Sequence, residues 1–412
     1  MVQITAQPHI VIIGGGAAGF FAAARLADEA PQVPVTLLEQ TPKLLSKVRI
    51  SGGGRCNVCH AVFNIKAFSQ RYPRGGKALY QAFHQFNTRD TIEWFSKKGV
   101  KLKTEEDGRM FPITDSSDTI VRCLLETADR GKVNIRTKTW AERIEPTNPG
   151  FNIPLNTGET LTASHVLVAT GGATKAEHYD WLTALGHSIE LPVPSLFTFN
   201  LPDNPITELM GVATEAEVSI HQTKLKERGP LLITHWGLSG PAVLKLSAWG
   251  ARQLHDMDYR YTVLINWMPG QHQDAVREDL QKQRQIHAAK KVVGHCPYEL
   301  PRRLWEFLCA KVGINPDVRW ADLPRKEQNL LAATLTRDEY PAHGKTTFKE
   351  EFVTCGGIKL DEVDFSTMQS RLVPGLYFAG EVLDIDGVTG GFNFQAAWTG
   401  GWIAAGDMVK GV

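Results

Sequence analysis

The sequence contains no apolar run that approaches the ~20 residues needed to span a bilayer. The apolar residues near its start follow no basic segment of the kind found in secretory signal peptides. A formal net charge of +1 gives no overall attraction to polyanions. We therefore expect a cytoplasmic protein without a membrane segment. At 412 residues with 42% hydrophobic content, the chain is long enough for two or three domains.

Cysteine is scarce, with six residues in the whole chain, which is too few for a disulfide framework. Cys56, Cys59 and His60 together match the attachment pattern of c-type haem. That attachment normally requires export, for which the sequence shows no signal, so we predict no haem. A redox-active Cys56–Cys59 pair stays open. Zinc is disfavoured because no second Cys/His pair stands at ligand spacing, and we predict no metal site.

The first 39 residues carry the most informative pattern. An apolar run, His9–Ile13, is typical of a buried strand and leads directly into Gly14-Gly15-Gly16-Ala17-Ala18-Gly19. A helical pattern follows over Phe20–Ala27, and a second apolar run, Val35–Leu38, ends in Glu39. A glycine turn between strand and helix, with an acid twenty residues beyond the last glycine, predicts a dinucleotide-binding βαβ unit.

Each residue type in this turn has a physical task. Gly14 permits a tight turn, Gly16 lets the backbone approach a pyrophosphate, and Gly19, beside Ala18, lets helix and strand pack closely. The helix N-terminus offers N–H groups and a positive dipole end to phosphates. Glu39 stands where a carboxylate can accept hydrogen bonds from a ribose diol.

The rest of the chain suggests a domain inserted into an α/β fold. Helices are predicted over 77–98 and 117–130, and strands over Lys132–Arg136, Thr139–Ile144 and His165–Ala169. Alternating patterns over 212–220 and 259–267 predict an antiparallel β-barrel or sandwich, followed by helices over 271–293, 299–312 and 322–336. We predict domain segments 1–194, 195–345 (helical part about 271–340) and 346–412.

The C-terminal region distinguishes between nucleotides. A strand over Gly375–Ala379 ends in Gly380-Glu381, and Gly390-Gly391-Phe392-Asn393 opens the final helix. An acid or backbone N–H can hold a flavin's ribityl chain, and a helix N-terminus stabilises the negative charge that the reduced flavin gains at its N1–C2=O edge. The glycines at both ends of the chain therefore predict non-covalently bound FAD rather than NAD alone. Thr170-Gly171, at the end of another strand, forms a further place where backbone can approach the nucleotide.

Five ordered motifs resemble the BaiN/RdsA-type family of FAD-dependent oxidoreductases, relatives of the two-dinucleotide-fold flavoproteins. They are residues 51–57, 107–112, 169–172, 234–241 and 380–395. The resemblance implies a GR2-type Rossmann-like FAD-binding domain interrupted by an inserted β-barrel and helical domain. It also places Lys47, Gly54, Arg55, Cys56 and Asn57 near the FAD pyrophosphate and ring. The sequence departs from the family at Leu45-Ser46, Arg49 and Cys59.

Two residues are candidates for catalysis. Cys56 could donate a proton to, or exchange electrons with, reduced flavin. His235 lies at a predicted strand end before a Gly-Ser-Gly-Pro turn, where it could bind substrate or act as an acid or base. The sequence has no second complete nucleotide fingerprint, so NAD(P)H, if it is the reductant, would bind transiently over the flavin.

The resemblance implies hydride chemistry, for which three alternatives stand. The first is NAD(P)H-driven reduction of an activated C=C bond, including uridine to dihydrouridine in ribosomal RNA. The others are oxidation of a small amine or amino ketone with release of peroxide, and a non-enzymatic flavin redox sensor. A basic patch favours RNA, because its six cations stand against Glu299 alone. The patch comprises Lys282, Arg284, Lys290, Lys291, Arg302 and Arg303.

Overall fold

A computed structural model of the chain describes residues 8–346 and 353–410. These residues form two compact units. The first unit combines residues 8–195 with 353–410, and the second consists of residues 196–346. The first unit is thus built from two separate stretches of sequence. Among the described residues, no helix has both the length and the apolar composition that crossing a membrane requires.

A seven-stranded sheet is the centre of the first unit within the described residues. Its five parallel strands, in spatial order, are Leu376–Phe378, His165–Val168, Ile10–Ile13, Val35–Glu39 and Asn134–Thr137. Two short antiparallel strands, Val363–Asp364 and Gln369–Ser370, extend the first edge. The strand Ile10–Ile13 is buried along its whole length, as its unbroken apolar sequence predicts for a parallel strand covered on both faces. The predicted Rossmann-like α/β fold is confirmed.

Two helices of this unit pack closely because of small residues. We call them the first helix (Ala17–Glu29) and the last helix (Phe392–Met408). A Cβ placed on Gly401 would lie 2.4 Å from the carbonyl oxygen of Ala18, so the two backbones approach at this position. Phe21 and Trp398 pack beside it, with ring centroids 5.2 Å apart. The contact holds the start of the first helix against the middle of the last helix.

The remaining elements of the first unit surround this sheet. Its other helices are Ser46–Gly54, Ile65–Ser69, Gly76–Ala82, Thr88–Lys97, Asp118–Arg130 and Asp180–Thr183. The first of these is interrupted by a kink, since residues 51–53 have non-helical backbone angles. Its small antiparallel sheets contain Cys59–His60, Leu102–Thr104 and Arg109–Pro112; Glu145–Pro146, Phe151–Pro154 and Thr160–Ala163; and Ile189–Ser195 with Val353–Ile358.

The second unit is built on an antiparallel sheet, seven-stranded in the part of the chain described. Its strands, in spatial order, are Asp338–His343, Arg260–Asn266, Ala213–Ile220, Lys226–Thr234, Gly237–Ser239, Thr198–Asn200 and Lys345–Thr346. The two edge strands are consecutive in sequence and are separated by Gly344 alone, so one segment pairs with both ends of the sheet. The helices are Pro241–Trp249, Ala251–Asp256, Gln273–Ile286, Arg302–Lys311 and Arg325–Thr336.

Three predicted elements differ from the structure. The helix predicted over 77–98 is two helices, because the chain turns between Ala82 and Thr88 and Asn87 caps the second helix with its side chain. The strand predicted over Thr139–Ile144 is wrong, and the segment is irregular. The helix predicted over 271–293 ends at Ile286, and residues 287–295 form a turn.

Candidate functional site

The carboxyl ends of four adjacent parallel strands meet at one edge of the central sheet. Backbone hydrogen bonds align these ends with one another: Gly14 N to Leu38 O (2.8 Å), Ala169 N to Ile13 O (2.8 Å) and Ala379 N to Val168 O (3.1 Å). The strand Ile10–Ile13 lies between Val35–Glu39, the next strand of this sheet along the chain, and His165–Val168, which comes much later and pairs on the opposite side. The strand order therefore reverses at Ile10–Ile13. This is the topological switch point at which open α/β sheets bind nucleotides.

The glycines at this edge divide into two kinds. Gly14 has φ +117°, and a Cβ on it would lie 2.3 Å from the carbonyl oxygen of Ala169. A Cβ on Gly19 would lie 2.0 Å from the carbonyl oxygen of Gly14. By contrast, a Cβ on Gly16 or on Gly171 would meet no atom within 4 Å among the described residues other than those next to it in the chain. Gly14 and Gly19 therefore hold the turn closed, whereas Gly16 and Gly171 border open space.

Glu39 braces the glycine turn. Its carboxylate accepts hydrogen bonds from the backbone N–H of Gly15 at 2.9 Å and of Thr41 at 2.7 Å. On the other side of the turn, Ala18 packs against the strand end, since a Cβ on Gly380 would lie 3.2 Å from the Ala18 Cβ. The acid, the turn and Gly380 are thus parts of one local arrangement.

Lys47 and Glu381 form an ion pair at the same edge. Lys47 Nζ lies 2.8 Å from Glu381 Oε2, and the other carboxylate oxygen accepts the backbone N–H of Thr354 at 2.6 Å. Gly172 completes this group, because a Cβ there would lie 3.0 Å from Glu381 Oε1. Thr354 was not predicted as a site residue. Its position directly before the glycine pair of Cys355-Gly356-Gly357 is the sequence feature that could have indicated one.

The glycine-rich loop after Lys47 contains residues 52–54 in left-handed conformation. A Cβ on Gly54 would meet no atom within 4 Å among the described residues, its chain neighbours aside. Arg55 points into a charged group, with Nη1 2.6 Å from Glu105 Oε1 and 3.6 Å from Asp115 Oδ1. Its guanidinium also stacks on the Phe111 ring at 4.0 Å. Carboxylates and an aromatic ring thus hold Arg55 in this structure.

Asn57 connects the same loop to the start of the last helix. In the amide orientation that satisfies both of its polar ends, its Oδ1 accepts the N–H of Gly391 at 3.1 Å, and its Nδ2 donates to the carbonyl of Cys59 at 3.2 Å. His60 Nδ1 lies 2.9 Å from the carbonyl oxygen of Gly390, and its ring stacks on Phe392 at 4.7 Å. The residues around the Cys56–His60 pattern therefore position the helix N-terminus.

A buried ion pair fixes the segment that precedes this N-terminus. Asp386 is fully buried and accepts two hydrogen bonds from the Arg74 guanidinium, with Nε 2.5 Å from Oδ1. Ser195 Oγ donates to the same carboxylate at 2.6 Å. Asn393 holds the next residue, since its amide exchanges two hydrogen bonds with the Gly387 backbone at 2.8 and 3.0 Å. Arg74 was not among the predicted site residues, although it is a charged residue directly before two glycines.

Cys56 is buried in a left-handed conformation with φ +61°. Burial raises the pKa of its thiol to about 12, although a hydrogen bond with Ser51 opposes the shift. Burial also raises the pKa of Cys59, whose Sγ lies 3.6 Å from Met110 Sδ. Both residues are free thiols. At neutral pH Cys56 therefore carries a proton and is not a thiolate nucleophile.

His235, the other catalytic candidate, belongs to the second unit and is exposed. Its ring packs edge-on against Trp236 with centroids 4.2 Å apart. The Trp236 indole donates to Thr198 Oγ1 at 3.0 Å, which fixes the ring beside His235. In the same unit, Lys345 Nζ lies 3.4 Å from the centroid of Tyr259, and burial lowers the pKa of Lys345.

The predicted basic patch is less cationic in space than in sequence. Lys291 and Arg302 pair with Asp317 and Glu306, at 2.7 and 2.6 Å. Arg303 donates to a backbone carbonyl at 2.7 Å. Arg284 donates to another carbonyl at 2.9 Å. The prediction considered only the acids between residues 282 and 303, where Glu299 stands alone. Glu306 and Asp317, which neutralise two of the cations, both follow the patch in sequence.

A model of the family described as HI0933-like protein Rossmann domain matches residues 8–407. The chain belongs to this family. It is 32% identical over 410 residues to a ribosomal RNA dihydrouridine synthase of Escherichia coli, with 97% of each chain covered. It is 29% identical to a 3-dehydro-bile acid delta(4,6)-reductase of Clostridium scindens, with 96% of this chain and 98% of the relative covered. The predictions of the family and of the oxidoreductase class are confirmed.

Solved structures show the same fold at low identity. A 3-ketosteroid delta1-dehydrogenase of Sterolibacterium denitrificans matches with a TM-score of 0.51 and 13% identity, covering 98% of this chain and 99% of that one. A quinol fumarate reductase of E. coli matches with a TM-score of 0.51 and 14% identity, covering 98% of this chain and 70% of that one. At these identities the likeness concerns the fold.

Proposed function

We propose that this chain binds FAD non-covalently at the strand-end edge of its first unit and reduces a C=C bond conjugated to a carbonyl group. The observation that carries the proposal is the open space at the Cβ positions of Gly16 and Gly171, which follow the adjacent strands Ile10–Ile13 and His165–Val168. A phosphate needs such a gap, because side chains would prevent the backbone N–H groups from approaching it. The residues present fit the cofactor.

Each candidate residue then has a role. Gly14, Gly16, Ala18 and Gly19 would place the helix N-terminus at the pyrophosphate, and Glu39 would accept hydrogen bonds from the adenosine ribose. Thr170, Gly171, Gly380 and Glu381 would follow the middle of the cofactor. Lys47, Gly54, Arg55 and Asn57 would border the pyrophosphate and ring. Gly390, Gly391, Phe392 and Asn393 would present the last-helix N-terminus to the flavin's N1–C2=O edge.

When bound, FAD supplies hydride transfer between NAD(P)H and the alkene. The protein must stabilise the negative charge of the reduced cofactor, and the Gly390–Gly391 turn with its Asn57 and His60 contacts is suited to this. Reduction of the alkene also needs a proton on the second carbon. The protonated thiol of Cys56 is our candidate donor, and His235 is the candidate in the second unit.

The names of the curated relatives support this substrate class. Dihydrouridine differs from uridine by saturation of the uracil 5,6 double bond, which is conjugated to a carbonyl. A delta(4,6)-reductase of a 3-dehydro bile acid acts by its name on double bonds conjugated to a ketone. The E. coli relative, matched over 97% of both chains, favours uridine in ribosomal RNA as the substrate of this protein.

The test is anaerobic flavin spectroscopy on the purified, FAD-loaded protein. NADPH or NADH should bleach the flavin absorbance, and a uridine-rich ribosomal RNA fragment or a small enone should restore it without oxygen. Slow reoxidation by these acceptors, with rapid peroxide formation from an amino ketone in air, would instead establish the oxidase. If neither nicotinamide bleaches the flavin and no acceptor or amine changes its redox state, the reductase proposal is wrong.

A further inference from the structure

Two histidines and a lysine meet in the turn after the helix Gln273–Ile286. The rings of His287 and His295 lie with centroids 4.2 Å apart. Lys290 Nζ lies 3.3 Å from His295 Nε2, and the Lys290 N–H donates to the carbonyl of His287 at 2.8 Å. We call these three residues the imidazole cluster. A continuous helix would have separated His287 from His295 by about 12 Å along its axis.

The turn is anchored by Trp320, which is fully buried. The Trp320 N–H donates to the carbonyl of Lys290 at 2.9 Å, and its indole Nε1 donates to the carbonyl of His295 at 3.3 Å. One buried residue thus fixes the backbone at Lys290 through its own backbone N–H and at His295 through its indole. These bonds keep Lys290 and the two imidazoles close together. On a mobile loop, groups of like charge would move apart.

Like charges dominate the surroundings of His295. Burial, Lys290 and His287 each lower the pKa of this imidazole. Arg319 lies opposite Lys291 in an isolated β-bridge. Two residues earlier, the carboxylate of Asp317 accepts a hydrogen bond from Lys291 Nζ at 2.7 Å. Arg284, near the end of the preceding helix, donates to the carbonyl of Ala321, the residue after Trp320. The free energy cost of gathering these groups falls when an anion binds among them, and an anion also favours the protonated imidazoles.

We propose that His287, Lys290 and His295 bind a phosphate group of the RNA substrate, and that binding is coupled to proton uptake by the imidazoles. The inference rests on the proposed function, because it takes RNA as the substrate. Of the six cations in the basic patch, only Lys290 belongs to this site. The other two members, His287 and His295, are omitted by a count of Lys and Arg. Arg302 and Arg303, held by Glu306 and by a backbone carbonyl, are not part of it.

The first test measures RNA binding against pH in the FAD-loaded protein. Fluorescence anisotropy with a ribosomal RNA fragment should show affinity rising from about pH 8 to about pH 6, by at most about tenfold per pH unit for each proton taken up. The double variant His287→Gln/His295→Gln should lose most of this dependence and match the parent near pH 8. His272→Gln, an exposed histidine just before the same helix, is the matched control and should behave as the parent.

The second test uses charge. Lys290→Ala should reduce the slope of log affinity against log salt by about 0.7–0.9, as expected for one lost phosphate contact. Arg302→Ala removes the same formal charge from an existing ion pair and should change the slope less. Equal changes in the two variants, or pH-independent binding by the parent, would overturn the proposal.

A third measurement needs no variant and separates this inference from the proposed reaction. Nuclear magnetic resonance of ¹⁵N-histidine-labelled protein should show the pKa of His295 rising when the RNA fragment is added. No rise on RNA binding would overturn the site. The same preparation, reduced by NADPH, should still be reoxidised by a small enone, so failure of the phosphate site would leave the reductase proposal standing. Loss of enone reoxidation would instead count against the reaction.

Discussion

Two glycines three residues apart should respond in opposite ways to the same substitution. In Gly16→Ala the new methyl group meets no atom within 4 Å among the described residues beyond its chain neighbours, and the backbone there (φ −92°, ψ −164°) is an extended conformation that any residue adopts. The free energy of unfolding without cofactor should therefore change by less than about 1 kcal/mol, the difference between glycine and alanine at a helix N-cap. FAD binding should weaken at least about tenfold, because the methyl group occupies the space proposed for the pyrophosphate.

In Gly19→Ala the methyl group would lie 2.0 Å from the carbonyl oxygen of Gly14, so the first helix must move off the turn. Forcing atoms into a packed site typically costs about 1–3 kcal/mol, and here the obstacle is backbone. Urea unfolding of both variants without FAD, and fluorescence titration with FAD, separate the two effects. Gly16→Ala with parental FAD affinity would refute the cofactor assignment. Gly19→Ala with parental stability would refute the close approach of helix and turn.

Three further substitutions test other parts of the first unit. Glu39→Ala should cost about 1.5–3 kcal/mol of FAD binding through lost charge-assisted hydrogen bonds, and unchanged affinity in a titration would contradict the ribose role. Cys59→Ser should keep the flavin spectrum and activity while losing about 1–3 kcal/mol of unfolding free energy, and a Soret band that this change abolished would show that haem binds there. Arg74→Met leaves the fully buried Asp386 without its cationic partner and should cost about 3–5 kcal/mol in urea unfolding, whereas Arg74→Met/Asp386→Asn should recover part of that loss.

The parts of the site that the sequence predicted best are those set by adjacent residues. The strand Ile10–Ile13, the turn and the first helix lie within one or two residues of their predicted bounds, apart from the start of the helix at Ala17. Continuous burial, glycine conformation and helical periodicity are all readable within about 20 residues. The helix start was missed because the turn residues Ala17, Ala18 and Gly19 already belong to it.

Partnerships between distant residues could not be predicted in this way. Lys47 and Glu381 were each expected near the cofactor, but 334 positions separate them, and only the strand order of the sheet brings them to 2.8 Å. Arg74 and Asp386 are 312 positions apart. Hydrophobic periodicity carries no information about such pairs, since both partners are charged residues whose contact depends on the tertiary fold. Their placement follows from the topology of the sheet.

The basic patch shows why charge must be counted in space. Along the sequence, residues 282–303 are strongly cationic, and a continuous helix over 271–293 would have displayed Lys290 and Lys291 as part of one solvated face. Because the helix ends at Ile286, Lys291 pairs with Asp317, while Lys290 lies beside two histidines that a count of Lys and Arg omits. An RNA phosphate approaching this turn would meet one fixed cation and two groups that can become cations on contact. Affinity should therefore depend on pH as well as on salt, which a patch of arginines and lysines alone would not produce near neutrality.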